Sequence, residues 1–341
     1  LRQRRWADFD LTGVFAMAKQ RALGADATLL CAFETVYGTA PDGAGGGVYS
    51  KLSFKSTAVG AAQPLGYDAL LGQGRNAQDP HYEPVTVNGD IVVPVDLRAF
   101  GFWLKGMFGA PVTTDNADGT YSHVFTSGGV LPSLSVETGF PALSAPVFNM
   151  VSGLKLGGFQ IDMSRSGPVN ATLNNNIAQG ETAAATSEDA APAVYVLQRF
   201  SQGSGSIKLG GAQLASVTAG SISFSNNLEA VETIRSDNKI DGVDEGEATA
   251  QGSVTLRYAS DATVRDAVAA QTPVAMEFGW SIPGSEGYAL KLNLPRVFLP
   301  KPKQSIDGPG GISAQYDWRA ALDPDDDYML RATLVNDVAS Y

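Results

Sequence analysis

Very few residues in this chain have the types and spacing that chemistry requires. Its 341 residues hold two histidines and one cysteine. His81 falls in a polar stretch and His123 in an alternating run, Tyr121-Ser122-His123-Val124-Phe125. Neither joins a serine and a carboxylate in a nucleophilic set, and neither has the partners of a metal site. Both are expected at the surface or in an interface. Cys31 stands alone, which excludes an internal disulfide and a thiolate metal quartet, and its apolar neighbours make it a small hydrophobe. Asp237-Asn238-Lys239-Ile240-Asp241-Gly242 has the outline of a calcium loop. However, Lys239 stands where a ligand oxygen belongs, and Ala248 where the bidentate glutamate would be. Asp323 to Asp327 reads as a solvated turn, and Gly43-Ala44-Gly45-Gly46-Gly47 lacks the following Lys-Ser/Thr of a phosphate cradle. Paired carboxylates for glycoside hydrolysis, and tryptophans and tyrosines for a sugar face, keep one alternative open: a secreted carbohydrate-binding or carbohydrate-acting β-protein. No catalytic residue, cofactor or metal is assigned.

The carboxylates gather on one element. Ser221-Ile222-Ser223-Phe224-Ser225 and Ser253-Val254-Thr255-Leu256-Arg257-Tyr258 alternate as half-buried strands do. Between them an arm from Glu229 to Glu247 holds seven carboxylates (Glu229, Glu232, Asp237, Asp241, Asp244, Glu245, Glu247) against Arg235 and Lys239, a formal charge of −5. Hairpin loops are usually about 2–5 residues long, so an arm of this length is expected to touch something outside its own domain.

Composition sets the frame. A chain with 44% hydrophobic and 17% charged residues is globular, with less surface charge than usual, as expected where other protein covers it. The net charge of −11 argues against a grip on nucleic acid, which needs clustered Lys and Arg, but suits a wall that phosphates must pass. No apolar run reaches the ~18–20 residues of a membrane helix, so no membrane partner is expected. Leu1-Arg2-Gln3-Arg4-Arg5 is basic without a following apolar stretch, and Met17-Ala18-Lys19 reads as a start, so residues 1–17 are expected to be a disordered tail or upstream translation.

The remaining chain divides into an N-terminal arm over 18–47, a first domain over 48–178, a linker over 179–204 and a second domain over 205–341. In the first domain the patterns predict a strand at Lys51-Leu52-Ser53-Phe54-Lys55 and a long polar segment from Leu65 to Asn88. A strand at Asp90 to Val95 and a helix from Leu97 to Phe108 capped by Asp96 follow, then hairpins and two closing strands. The second domain repeats this order, with a short helix capped by Ser260 or Asp261. Leu52-Ser53-Phe54 matches Ile222-Ser223-Phe224 at an offset of 170, and Gly89-Asp90-Ile91 matches Gly252-Ser253-Val254 at 163. Ala171 to Asn175 matches Ala332 to Asn336 at 161. This shared order points to two copies of one fold.

At this point the residues resemble a known family. Leu71-Gly72-Gln73-Gly74-Arg75, Asp79-Pro80, the run Val87 to Asp96 and Phe100-Gly101-Phe102-Trp103-Leu104-Lys105 are similar to the tail-tube (major tail) proteins of long-tailed bacteriophages. Leu131 to Glu137 and Ala332 to Asn336 fit as well, so the resemblance covers about residues 20–337. It implies a mainly β fold of two tandem tail-tube-like β-sandwich/barrel domains, each with one flanking α-helix. It further implies a virion structural protein, not an enzyme, made in the bacterial host cytoplasm. Its copies would stack as rings around an acidic lumen that conducts DNA during ejection. Two folds per chain favour trimeric rings of pseudo-sixfold symmetry, with a hexamer as the alternative. The tape-measure protein and other tail proteins are the remaining partners, and DNA passes without specific binding. A terminator ring or decoration protein is the alternative within the particle. The inter-ring contact arms then comprise Leu71, Arg75, Asp79, His81 and Glu83, and Arg235, Asp237, Lys239, Asp241, Asp244, Glu245 and Glu247. The lumen-wall strands carry Leu52, Phe54, Ile91, Val93, Ile222, Phe224, Val254 and Leu256.

Overall fold

The computed structural model describes residues 21–72, 74–257, 263–284, 287–303 and 310–341. The expected tail, Gln73, Tyr258 and the cap at Ser260 or Asp261 lie outside those residues. Short alternating runs broken by glycine and proline give a mainly β chain with two α-helices. The first half runs β1 (Thr28–Phe33), β2 (Ser50–Lys51), β3 (Ser56–Thr57), β4 (Gly60–Ala62), β5 (Leu65–Gly66), β6 (His81–Tyr82), β7 (Thr86–Asn88) and β8 (Ile91–Pro94). After α1 (Phe100–Phe108) come β9 (Val112–Asp115), β10 (Tyr121–Thr126), β11 (Leu134–Phe140), β12 (Val147–Leu154), β13 (Gly158–Met163) and β14 (Asn170–Asn174). β15 (Ile177–Ala178), β16 (Gly180–Ala184) and β17 (Ala193–Val194) lead to the second half. That half contains β18 (Ser206–Leu209), β19 (Ala212–Gln213), β20 (Val217–Ser225), β21 (Glu229–Val231), β22 (Gly242–Asp244) and β23 (Thr249–Arg257). It ends with α2 (Thr263–Ala270), β24 (Val274–Ser281), β25 (Ala289–Phe298), β26 (Ser313–Ala320) and β27 (Arg331–Asn336).

One sheet runs through both halves in the order β3-β8-β14-β13-β20-β23-β26. The halves meet at β13 and β20, where Phe159 lies opposite Phe224 and Ile161 opposite Ile222. A second layer is built twice. In the first half its order is β16-β12-β11-β1, and in the second β27-β25-β24-β18. Both copies of the β11–β12 type of hairpin shift register at the same place, between Leu134 and Val136 and between Val274 and Met276.

The helix α1 is apolar all round, as a fully buried helix must be. Phe102 packs on Phe33 of β1 at 4.5 Å between ring centres, and Phe108 packs on Phe159 of β13 at 6.4 Å, so the helix bridges the two layers. Gly109, at φ 90°, stops it in a conformation that side chains resist. Asp96 is not the cap of the helix, contrary to expectation: Ala99 holds that position without a side-chain bond. The Asp96 carboxylate accepts from the backbone N–H of Arg98 and Ala99, and the helix proper begins at Phe100.

Several expectations need correction. Leu52 to Phe54 is not strand; Leu52 N–H donates to Leu29 of β1, and pairing with β8 begins only at Ser56. The stretch 179–204 does not hang free, because β16 pairs with β12, β17 pairs with β2 and Phe200 is fully buried. The halves also interlock, since all of β10 pairs with β27, residue by residue from Tyr121–Asn336 to Thr126–Arg331. β27 therefore shares its place in the pairing order with β16, not with β14, and the match of Ala171–Asn175 to Ala332–Asn336 fails.

Candidate assembly surfaces

The continuous sheet has two chemically different faces, fixed by the period-2 alternation of its strands. Ile91, Val93, Phe159, Ile161, Ile222, Phe224, Val254 and Leu256 point into the core. Of the side chains expected on the lumen wall, all but Phe54 are buried, and Phe54 is half-buried against the same core. These side chains therefore face the core and not an open surface. The opposite face carries Gln160, Thr172, Ser221, Ser223, Gln251, Ser253, Thr255 and Gln315, aligned across neighbouring strands. Its charged members on these strands are Asp162, Asp317, Arg257 and Arg319, so the face is polar but balanced. Alternation in the sequence already marked these serines and glutamines as the face opposite the core.

Each half projects an arm from this sheet, and the two arms are the same hairpin. Thr57 lies opposite Ile91 and Gly220 opposite Val254; both members of the second pair sit 163 positions after those of the first. The same offset carries Ala61–Val87 onto Phe224–Ala250, Ala62–Thr86 onto Ser225–Thr249, and Gly66–His81 onto Glu229–Asp244. The arms beyond the Ala62–Thr86 and Ser225–Thr249 pairs are therefore of equal length, 63–85 and 226–248. The expected offset of 170 for Leu52–Phe54 is replaced by this single register. At the tips, Leu71 is 96% exposed, and Ile234, at the equivalent position, is fully exposed.

Below the tips the arms differ. In the first, Leu71, Arg75, Asp79 and His81 are exposed, and His81 contacts the half-buried Glu83 at 3.0 Å. The second arm lies against its own chain. Lys155 reaches Glu245 at 2.6 Å and the Val243 carbonyl at 3.0 Å, and Leu131 N–H donates to the same Glu245 carboxylate. Partial burial works against that carboxylate's charge, but Lys155 holds its pKa below the ordinary value. Lys239 packs over Gly180 of β16. Glu245 and Lys239 thus make contacts within their own chain. The Arg235 guanidinium binds Asp237 at 2.9 Å and Asp241 at 2.8 Å, and it lowers the Asp237 pKa to about 2. The calcium-like stretch is thus an arginine-clasped turn. Asp244 and Glu247 face solvent.

The residues with chemical potential are placed structurally. His123 is fully buried, against expectation, with Thr113 on Nδ1 and the Val338 carbonyl on Nε2. Cys31 is buried in β1, and burial pushes its thiol pKa up. Among the described residues no group of three or more His, Cys, Asp or Glu is arranged to hold a metal ion. Among the described residues no helix is long and apolar enough to cross a membrane.

A family model described as phage tail tube protein matches residues 24–320, most of the chain. No curated protein matches it.

Proposed function

Because the chain belongs to the phage tail tube family, we propose that it forms the tube by ring closure of its continuous sheet, with the polar face lining a channel for DNA. Family membership makes it a structural component of the virion tail that assembles with copies of itself and with other tail proteins. The observation that carries the finer reading is the two-faced sheet. A single apolar face is packed, while the other presents hydroxyls, amides and two balanced pairs of charges over strands from both halves. Such a wall wets the channel and gives phosphates no basic stripe to bind. The excess of acid, −11 over the chain, lies elsewhere, so the channel proposed here is polar and neutral instead of acidic.

We read the two halves as two copies of one unit, linked in one chain, which favours three chains per ring. The equal arms with bare aliphatic tips, Leu71 and Ile234, then reach the neighbouring ring. A tape-measure protein would fill the channel before DNA does, and synthesis takes place in the host cytoplasm. Electron microscopy of the purified chain at rising concentration tests this. Stacked hollow rings of threefold symmetry are expected, and a chain that stays monomeric or forms solid fibres overturns the reading.

A further inference from the structure

The junction between the two halves has an open counterpart on the same chain. In the first half, the end of α1 is covered by the second half. Phe224 of β20 packs on Phe108 at 4.8 Å, and the buried Asn226 amide donates to the carbonyls of Met107 and Leu156. Lys155 then clasps the second arm through Glu245. The corresponding region of the second half, between α2 and the β25–β26 edge, is a cavity of about 820 Å³ lined by Val268, Gln271, Phe298, Leu299, Pro300 and Tyr316. In α1 every residue but Lys105 is buried, whereas in α2 only Val264 is. Leu156 is fully buried, whereas Leu299, at the equivalent place after β25, is half-buried and its neighbour Phe298 is 40% exposed.

The missing cover is present on the other side of the molecule. At the offset of 163, Phe224 corresponds to Ala61, Asn226 to Gln63 and Glu245 to Tyr82. Leu65 is 58% exposed and Tyr82 74%, while Leu228, the counterpart of Leu65, is half-buried on its own chain. Among the described residues β3, next to these side chains, is the terminal strand of the sheet and pairs only with β8.

We propose that the cavity beside α2 seats the β3–β4 strand and first arm of a second copy of this chain, reproducing between chains the junction seen within one. The Gln63 amide of one copy caps the carbonyl end of α2 in the next, and Tyr82 lies on Phe298 where the internal junction has its Lys155–Glu245 pair. This assignment rests on the tube reading and specifies its subunit contact.

The test uses the full chain carrying Gln63→Cys and Gln271→Cys, treated after assembly with a short bis-maleimide; Cys31 is buried and does not compete. The expected products are cross-linked chains ending at a closed trimer, absent from either single variant. Phe298→Asp is expected to abolish assembly while the monomer keeps its melting temperature. Rings that form without these cross-links, or Phe298→Asp chains that assemble as well as the parent, overturn the junction and leave the tube standing. A parent chain that forms no rings overturns both.

Discussion

His123 shows how a residue with chemical potential is spent on structure. Thr113 Oγ1 lies 2.9 Å from Nδ1 and the Val338 carbonyl 2.8 Å from Nε2, so Nε2–H donates to the carbonyl and Nδ1 accepts from the threonine. This is the neutral tautomer, and burial holds its pKa below the ordinary 6.5. The sign follows from linkage. Below pH 6.5 the unfolded chain takes a proton that the folded chain refuses, so the stability present above that pH is lost as pH falls. Urea midpoints measured from pH 7.5 to 5.5 should decline over this interval. His123→Ala should cost about 1–3 kcal/mol at pH 7.5, from the polar groups it orphans, and should flatten the decline. The buried position was not legible in Tyr121 to Phe125, whose alternation fits an edge strand equally well. β10 is enclosed by β27 and by Tyr341, whose ring meets the imidazole at 4.8 Å. Those residues arrive from the far end of the chain.

At the scale of elements, the strand-arm-strand unit was legible because period-2 alternation flanks a polar stretch of unusual length. Its register was only half legible. Gly89-Asp90-Ile91 against Gly252-Ser253-Val254 has the offset of 163 that the strand pairing follows, since both segments enter a paired strand of the same sheet. Leu52-Ser53-Phe54 has the same alternation without the ladder, because those residues pass from β2 of one sheet to β3 at the edge of the other. The arms show a second difference between sequence and structure. The sequence displays their charges, while the structure pairs the exposed Glu245 with Lys155, lays the half-buried Lys239 over Gly180 and leaves Leu71 and Ile234 bare. Leu71→Asp and Ile234→Asp together should leave monomer stability within about 0.5 kcal/mol of the parent. If these tips are buried between rings, two carboxylates there should cut tube yield by about tenfold or more. Pelleting assays and tube lengths in micrographs would measure this, and unchanged lengths would remove the tips from the contact.

At the scale of the molecule, the division at 179–204 was the least legible feature. Compositional bias toward Ala, Thr and Glu resembles a linker, but pairing partners more than a hundred residues away decide that β10 serves the second half. The two junctions also differ in kind. The internal one contains the Lys155–Glu245 ion pair, held together by the covalent chain, and the proposed external one matches Tyr82 with Phe298. Copies with a charge of −11 repel one another, and salt shortens that repulsion to about 8 Å at physiological strength. If the Tyr82–Phe298 contact outweighs the Lys301 and Arg319 side chains that also line this cavity, raising NaCl from about 50 to 500 mM should lower the concentration needed for assembly. Sedimentation velocity would follow it, and dissociation by salt would show that the external contact is ionic.

The two arms share a backbone but not a surface, with Leu70, Leu71 and Tyr82 on one and Arg235, Asp237 and Asp241 on the other. A ring of three such chains repeats its shape six times around but its chemistry only three times. A new ring settling on the last would then find six positions that fit and three that match. The handedness and twist of the growing cylinder would be selected by this alternation of arm flanks beneath the shared aliphatic tips, a choice that a ring of six identical chains does not have.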